Sequence, residues 1–197
     1  MLPAMSLVNW KATFRERSKA ARRDAATRQP NAARFAATHF MTALEPGEGD
    51  NVAIYHAIGD ELDTAPLAGE LARRGVAVLL PVVVKKKEPL RFRLFEIDKP
   101  LEAGAFGILE PRNDAPEMVP NIVVTPLLAV RPDGARLGMG GGFYDRTLES
   151  LRNDNGVTAI GYGYQGQMLD RFPVGPTDQF LDGFVSEAGY QAFQRRR

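Results

Sequence analysis

The sequence contains no cysteine, which excludes a disulfide framework, a thiolate metal site and a cysteine nucleophile. It has no excess of either charge: 25 Lys and Arg residues stand against 24 Asp and Glu, for a formal net charge of +1. No global field therefore recruits nucleic acid or a membrane surface. No apolar run reaches the length needed to span a bilayer, and the N-terminal residues lack the apolar core of a signal peptide. A soluble, cytoplasmic protein is expected. There is no internal repeat and no linker long enough to separate two domains. At 197 residues and 44% hydrophobic content the chain can bury one sizeable core, so a single domain over 1–197 is expected.

What the sequence does concentrate is glycine. Four glycines fall within five residues of the stretch Arg136-Leu137-Gly138-Met139-Gly140-Gly141-Gly142-Phe143-Tyr144-Asp145-Arg146. An apolar run, 122–130, and the turn Pro132-Asp133-Gly134 precede it; Tyr144, Leu148 and Leu151 then recur at helical spacing. The run therefore connects a strand to a helix N-terminus. Glycine tolerates positive φ and places no Cβ between backbone and ligand, so bare N–H groups can approach an anion there. Arg136 can supply a fixed cation, and Asp145 in the first helical turn can hold a magnesium ion against phosphates. A flexible hairpin tip is the competing reading of a bare glycine cluster. A Walker loop is excluded because no Gly-Lys-Ser/Thr follows the required gap, and a dinucleotide fingerprint because the third glycine is misplaced.

The remaining chain alternates helix and strand patterns. Ser6 can cap a helix from Leu7 to Arg28, with Trp10 and Phe14 on one face and Lys11, Arg15, Arg22 and Arg23 around the rest, which reads as a solvated basic face. Pro30 breaks it, and Asn31 starts a second helix through Phe35, Phe40 and Leu44. A short strand over 51–55 leads into a loop, after which Thr64 is placed to cap a helix ending at Arg74 and Gly75. Strands are expected over 76–80, 82–84, 90–95, 122–130, 157–162 and 181–187, with Lys85, Lys86 and Lys87 as a solvated tip and residues 195–197 as a disordered tail. The pattern predicts a single-domain, three-layer α/β fold with a mostly parallel central sheet flanked by helices. Ligands in such sheets sit beyond strand C-termini, which makes Glu61 a binding candidate. His56 in the same loop also reads as a partly buried histidine satisfied by backbone.

The glycine-rich string resembles the signature of the 5-formyltetrahydrofolate cyclo-ligase family, also called methenyltetrahydrofolate synthetases. Five segments between residues 11 and 187 match that family in order. Lys11-Ala12-Thr13-Phe14-Arg15 matches a Lys-x-x-x-Arg pair that, in the family, reaches the nucleotide phosphates from one helix face. Asp60-Glu61-Leu62-Asp63-Thr64 matches a turn that supplies a glutamate to the folate, at Glu61, with His56 at another substrate-contact position. The segment 104–111 resembles the family's Phe-Gly-Ile-x-Glu-Pro stretch near the pocket, where Glu110 either serves the site or simply fixes a loop. The segment 181–187 resembles its closing Asp-x-x-Val-x-x-Glu strand, with Asp182 at the second magnesium contact; on the residues alone Asp182 is a turn former. Met139 and Gly141 depart from members that carry arginine or lysine there, leaving phosphates to Lys11, Arg15, Arg136 and backbone N–H groups.

The resemblance implies ATP- and Mg2+-dependent closure of 5-formyltetrahydrofolate to 5,10-methenyltetrahydrofolate, with release of ADP and phosphate. A monomer is expected, and the balanced charge points to neither a nucleic-acid nor a membrane partner. It implies ATP binding by Lys11, Arg15, Arg136, Leu137, Gly138, Met139, Gly140, Gly141, Gly142, Phe143 and Tyr144. Arg136, Tyr144 and Asp145 would be catalytic, Glu61 and His56 would bind folate, and Asp145 and Asp182 would hold the metal. Two other readings remain: a non-catalytic nucleotide- or RNA-binding module, which loss of Asp145 or Glu61 would favour, and a sugar-phosphate isomerase, which would want a general base and no metal.

Overall fold

The computed structural model describes residues 7–154 and 156–194. Ser6, the expected cap of the first helix, and the basic end at 195–197 lie outside the described residues.

Helix α1 spans Leu7–Arg28 and stops before Pro30, which disfavours helix at the residue preceding it. Helix α2, Ala32–Leu44, follows. Strand β1 (Asn51–Ala53), helix α3 (Ala65–Arg73) and strand β2 (Ala77–Val82) form the first β-α-β crossover. Then come β3 (Arg91–Leu94), the short pair β4 (Glu102–Ala103) and β5 (Leu109–Glu110), and β6 (Ile122–Thr125). A ribbon of β7 (Ala129–Val130) and β8 (Arg136–Leu137) precedes helix α4 (Phe143–Asp154). Strands β9 (Thr158–Tyr162), β10 (Gly183–Ser186) and β11 (Gly189–Ala192) close the chain.

Seven strands form one sheet in the order β11-β10-β9-β6-β1-β2-β3. The five inner strands run parallel, and β11 and β3 pair antiparallel at the edges. This is the expected α/β fold with a mostly parallel sheet. The inner strands bury both faces by strict alternation. Val52, Val78, Leu80, Val124, Ile160, Tyr162 and Val185 join one core cluster with Phe40 and Met41 of α2 and Leu67 and Leu71 of α3. Their neighbours Ala53, Leu79, Val123, Ala159 and Phe184 join a second cluster with Leu148 of α4. A third, smaller cluster gathers Ala129, Ala135, Leu137 and Phe172, and Phe14 of α1 packs against it. Helix α1 thus packs Phe14 against the cluster at the β7–β8 ribbon, while Ala25 and Ala26 near its end pack against the first core cluster.

Three local expectations change. The expected strand over 122–130 is two elements: β6 ends at Thr125 because Pro126 has no N–H for the ladder, and the chain then turns into the β7–β8 ribbon. The glycine loop therefore leaves that ribbon, and it enters α4 as expected. The separate strand over 82–84 is absent, because β2 runs on through Pro81, past the last residue paired with β1. Thr64 does sit at the start of α3, but its hydroxyl donates to the Tyr55 carbonyl at 2.6 Å, while the Asp63 carboxylate accepts the Ala65 N–H at 2.9 Å.

Candidate active site

A cavity of about 560 Å3 opens beyond the C-terminal ends of β1, β2 and β6. Its volume lies within the range of small-molecule sites, and its position follows the rule for α/β sheets. One end is made by the glycine loop, the start of α4, and Lys11 and Arg15 from α1. The other end holds Arg22, Tyr55, His56 and Glu61, and apolar side chains including Pro81, Val83, Leu90 and Ile108 lie in its wall.

At the loop end, Arg136 is buried and held on several sides. Its Nη1 donates to the Pro126 carbonyl and its Nη2 to Asp145 Oδ1, both at 3.2 Å, and its guanidinium lies 5.5 Å from the centre of the Tyr144 ring. Its Nε is buried without a hydrogen-bond partner among the described residues. Gly138 is glycine because a Cβ there would stand 2.8 Å from Arg136 Nη1. Arg15 donates its Nε–H to the Gly138 carbonyl at 2.9 Å, and Gly140, at φ +100°, passes so close that a Cβ would meet the Arg15 guanidinium carbon at 3.2 Å. Arg146 braces the loop from outside, donating to the Gly141 carbonyl at 3.0 Å with its guanidinium 5.2 Å from the centre of the Phe143 ring. The first-turn N–H groups of α4 have no intrahelical acceptors, so cations and helix end together make an anion site. Lys11 is engaged by Asp178, whose carboxylate also accepts the Gly175 N–H at 2.7 Å.

At the other end the segment between β1 and α3 is tied down by side chains. Tyr55 donates its hydroxyl to the Leu62 carbonyl at 2.7 Å. Glu61 accepts the Ile58 N–H at 3.1 Å and one Arg22 Nη1 hydrogen at 3.4 Å. Burial pushes the Glu61 carboxyl above the ordinary carboxylate range; the Ile58 N–H and the Arg22 charge pull it back part of the way. Burial also raises the Tyr144 phenol, and the nearby Glu61 charge adds to that shift.

All the site residues read from the sequence line this one cavity except Asp182. Asp182 is instead bound into the sheet: its Oδ2 accepts the Ala159 N–H at 2.8 Å and pairs with Arg152 at 3.2 Å. The expected Asp145–Asp182 metal pair is therefore not assembled, because a local arginine and a strand N–H claim the second carboxylate. Among the described residues no group of three or more His, Cys, Asp or Glu side chains forms a metal cage. Asp145 itself suits a magnesium ion shared with phosphates. Its hydrogen bonds from Arg136 and the Gln179 N–H both fall on Oδ1, which leaves Oδ2 as an acceptor.

Glu110 is buried, lines the cavity and accepts the Val83 N–H at 3.2 Å, so the loop-fixing role is realised at the cavity wall. Arg22 and Asp178 line the cavity and were not singled out from sequence. For Arg22 a signal existed: residues 11, 15, 18 and 22 fall on one helix face. Asp178 lies in a Gly- and Pro-containing loop with no periodicity to locate it.

A model of the 5-formyltetrahydrofolate cyclo-ligase family matches residues 7–187. The chain is 34% identical over 153 residues to the 5-formyltetrahydrofolate cyclo-ligase of Haemophilus influenzae, covering 75% of this chain and 81% of that one. It is 35% identical over 156 residues to the Escherichia coli enzyme of the same name, covering 77% and 85%. The NMR structure of Aquifex aeolicus 5,10-methenyltetrahydrofolate synthetase shares the fold, with a TM-score of 0.74 at 23% identity, covering 98% of this chain and 95% of that one.

Proposed function

This chain belongs to the 5-formyltetrahydrofolate cyclo-ligase family, and on that premise we propose that it closes 5-formyltetrahydrofolate to 5,10-methenyltetrahydrofolate at the expense of ATP, releasing ADP and phosphate. One observation carries the reading. A single cavity has a cationic glycine loop and Asp145 at one end, a buried carboxylate at the other, and an apolar wall shared between them.

The chemistry explains those residue types. A formamide oxygen is a poor leaving group, so it takes the γ-phosphoryl group of ATP, and ADP departs. Nitrogen 10 of the folate attacks the activated formyl carbon, the C–O bond breaks, and the departing phosphate can carry away the nitrogen 10 proton. Such a transfer needs positioning and charge neutralisation more than a covalent protein group. Lys11, Arg15, Arg136 and the loop N–H groups would bind the phosphates, and Phe143 and Tyr144 would wall the nucleotide end. Asp145, with the phosphate oxygens, would hold magnesium, which when bound neutralises charge on the phosphates. Glu61 would accept N–H donors of the folate heterocycle, with His56 beside it. Glu61 and Asp145 are both present in the cavity, which speaks against a non-catalytic module.

The test is phosphate release by the purified protein with ATP and magnesium. Release is expected with 5-formyltetrahydrofolate and not with tetrahydrofolate, which lacks the oxygen to be phosphorylated. Equal release with both would contradict the reading.

A further inference from the structure

Lys11, Arg15, Ser18 and Arg22 are spaced four, three and four residues apart, so they form one stripe along α1. At 1.5 Å per residue the stripe is about 16 Å long. Arg15 bonds the glycine loop, Lys11 pairs with Asp178 in the same cavity, and Arg22 reaches Glu61.

Arg22 is only 7% exposed. A buried guanidinium is costly unless it is well paired and its donors are satisfied. This one is paired only at long range. Its Nη1 lies 3.4 Å from Glu61 Oε1, its Nε lies 3.8 Å from Asp60 Oδ2, and the Nε has no hydrogen-bond partner among the described residues. One turn earlier the Ser18 hydroxyl is also buried without a hydrogen-bond partner among the described residues. A purely structural arginine would be expected to close these bonds. An arginine held in reserve for a carboxylate that must keep accepting capacity for a ligand has reason not to.

We propose that Arg22 is a positioning residue for the folate site: it holds the Glu61 carboxylate oriented and charged, so that Glu61 can accept N–H donors of the substrate. This rests on the reading of Glu61 given above. The groups facing Glu61 are Asp60 beside it, the Tyr55 and Tyr144 phenols, and Arg22 from α1, with His56 in the same cavity wall. Asp60 and burial oppose the charge on Glu61, and the Arg22 guanidinium supports it. Lysine is not an equivalent substitute, since a single ammonium cannot serve both Asp60 and Glu61 with a planar fork.

The experiment measures KM for 5-formyltetrahydrofolate and for ATP across pH in wild type, R22Q, R22K, E61Q and the R22Q/E61Q double variant, with thermal melting alongside. R22Q is expected to raise the folate KM about tenfold or more while changing the ATP KM by less than about twofold. The acid-side fall in kcat/KM for the folate moves to higher pH in R22Q and flattens in E61Q. Added to E61Q, R22Q has little further effect, because Arg22 acts through Glu61. R22K keeps the charge and recovers part of the folate affinity; if R22Q melts too low to assay, the pH limb of R22K decides. Equal rises in both KM values, or additive effects in the double variant, overturn the role of Arg22 while leaving the function standing. A wild-type protein that binds ATP but turns over no folate instead fails the functional reading itself.

Discussion

The Nε–H of Arg15 donates to the Gly138 carbonyl at 2.9 Å, joining residues 123 apart in the chain. This bond couples the first helix to the glycine loop, so both reach the cavity as one unit. R15Q should therefore weaken nucleotide binding more than folate binding. Loss of a charge-assisted bond and a phosphate cation predicts a rise in ATP KM of about tenfold or more. An ATP KM equal to wild type would remove the first helix from the nucleotide site.

Gly140 sits at φ +100° with the Arg15 guanidinium against it. G140A should lose nucleotide affinity, and backbone strain alone is worth about 1–2 kcal/mol. G166A is the control, since Gly166 has ordinary φ and open space where a Cβ would go. Calorimetry with ATP should show weaker binding for G140A and none of that loss for G166A.

The two aspartates paired by the family resemblance should behave differently. D145N is expected to lose turnover by at least about 100-fold, because Asp145 lines the cavity where the phosphates are proposed to bind. D182N should lower stability by about 1–3 kcal/mol, since it weakens acceptance of the Ala159 N–H and removes the ion pair with Arg152, while turnover and magnesium dependence stay near wild type. A shifted magnesium requirement in D182N would restore it to the metal site.

Glu61 gives a pH dependence whose sign differs between binding and stability. Its pKa is raised by burial, so the carboxylate is lost as an acceptor at a higher pH than an ordinary glutamate would be. Folate affinity should fall as pH drops through that window. The folded protein binds this proton more tightly than the unfolded chain, so the stability Glu61 contributes rises over the same drop and is lost as pH climbs through the raised value. Folate titrations and thermal melts across pH check the two directions separately; parallel falls would contradict them.

Much of this was legible in the sequence where local physics decides the outcome. The alternation of Val52, Ala53 and Ile54, and of Val78, Leu79 and Leu80, specifies buried parallel strands without reference to anything distant. Gly138 and Gly140 mark close backbone approach, although only the fold shows that arginine side chains are what approach them. The rest depends on tertiary partners. Arg22 reads as a solvated base until Asp60 and Glu61 are brought against it. Asp182 reads as a turn former on its own and as a metal contact by resemblance; only the fold shows Arg152, thirty residues earlier, against it. Pro126 lies inside the 122–130 run and ends β6, although the apolar residues on both sides of it read as one continuous strand.

The central claim is that the glycine loop and the Glu61 pocket serve one ATP-driven ring closure. The most direct measurement is the absorbance of the methenyl product when the purified protein meets 5-formyltetrahydrofolate and magnesium, with and without ATP. The account predicts that the chromophore grows only when ATP is present, with one ADP formed per methenyl group. No chromophore, in a protein whose ATP binding is confirmed by calorimetry, would contradict it.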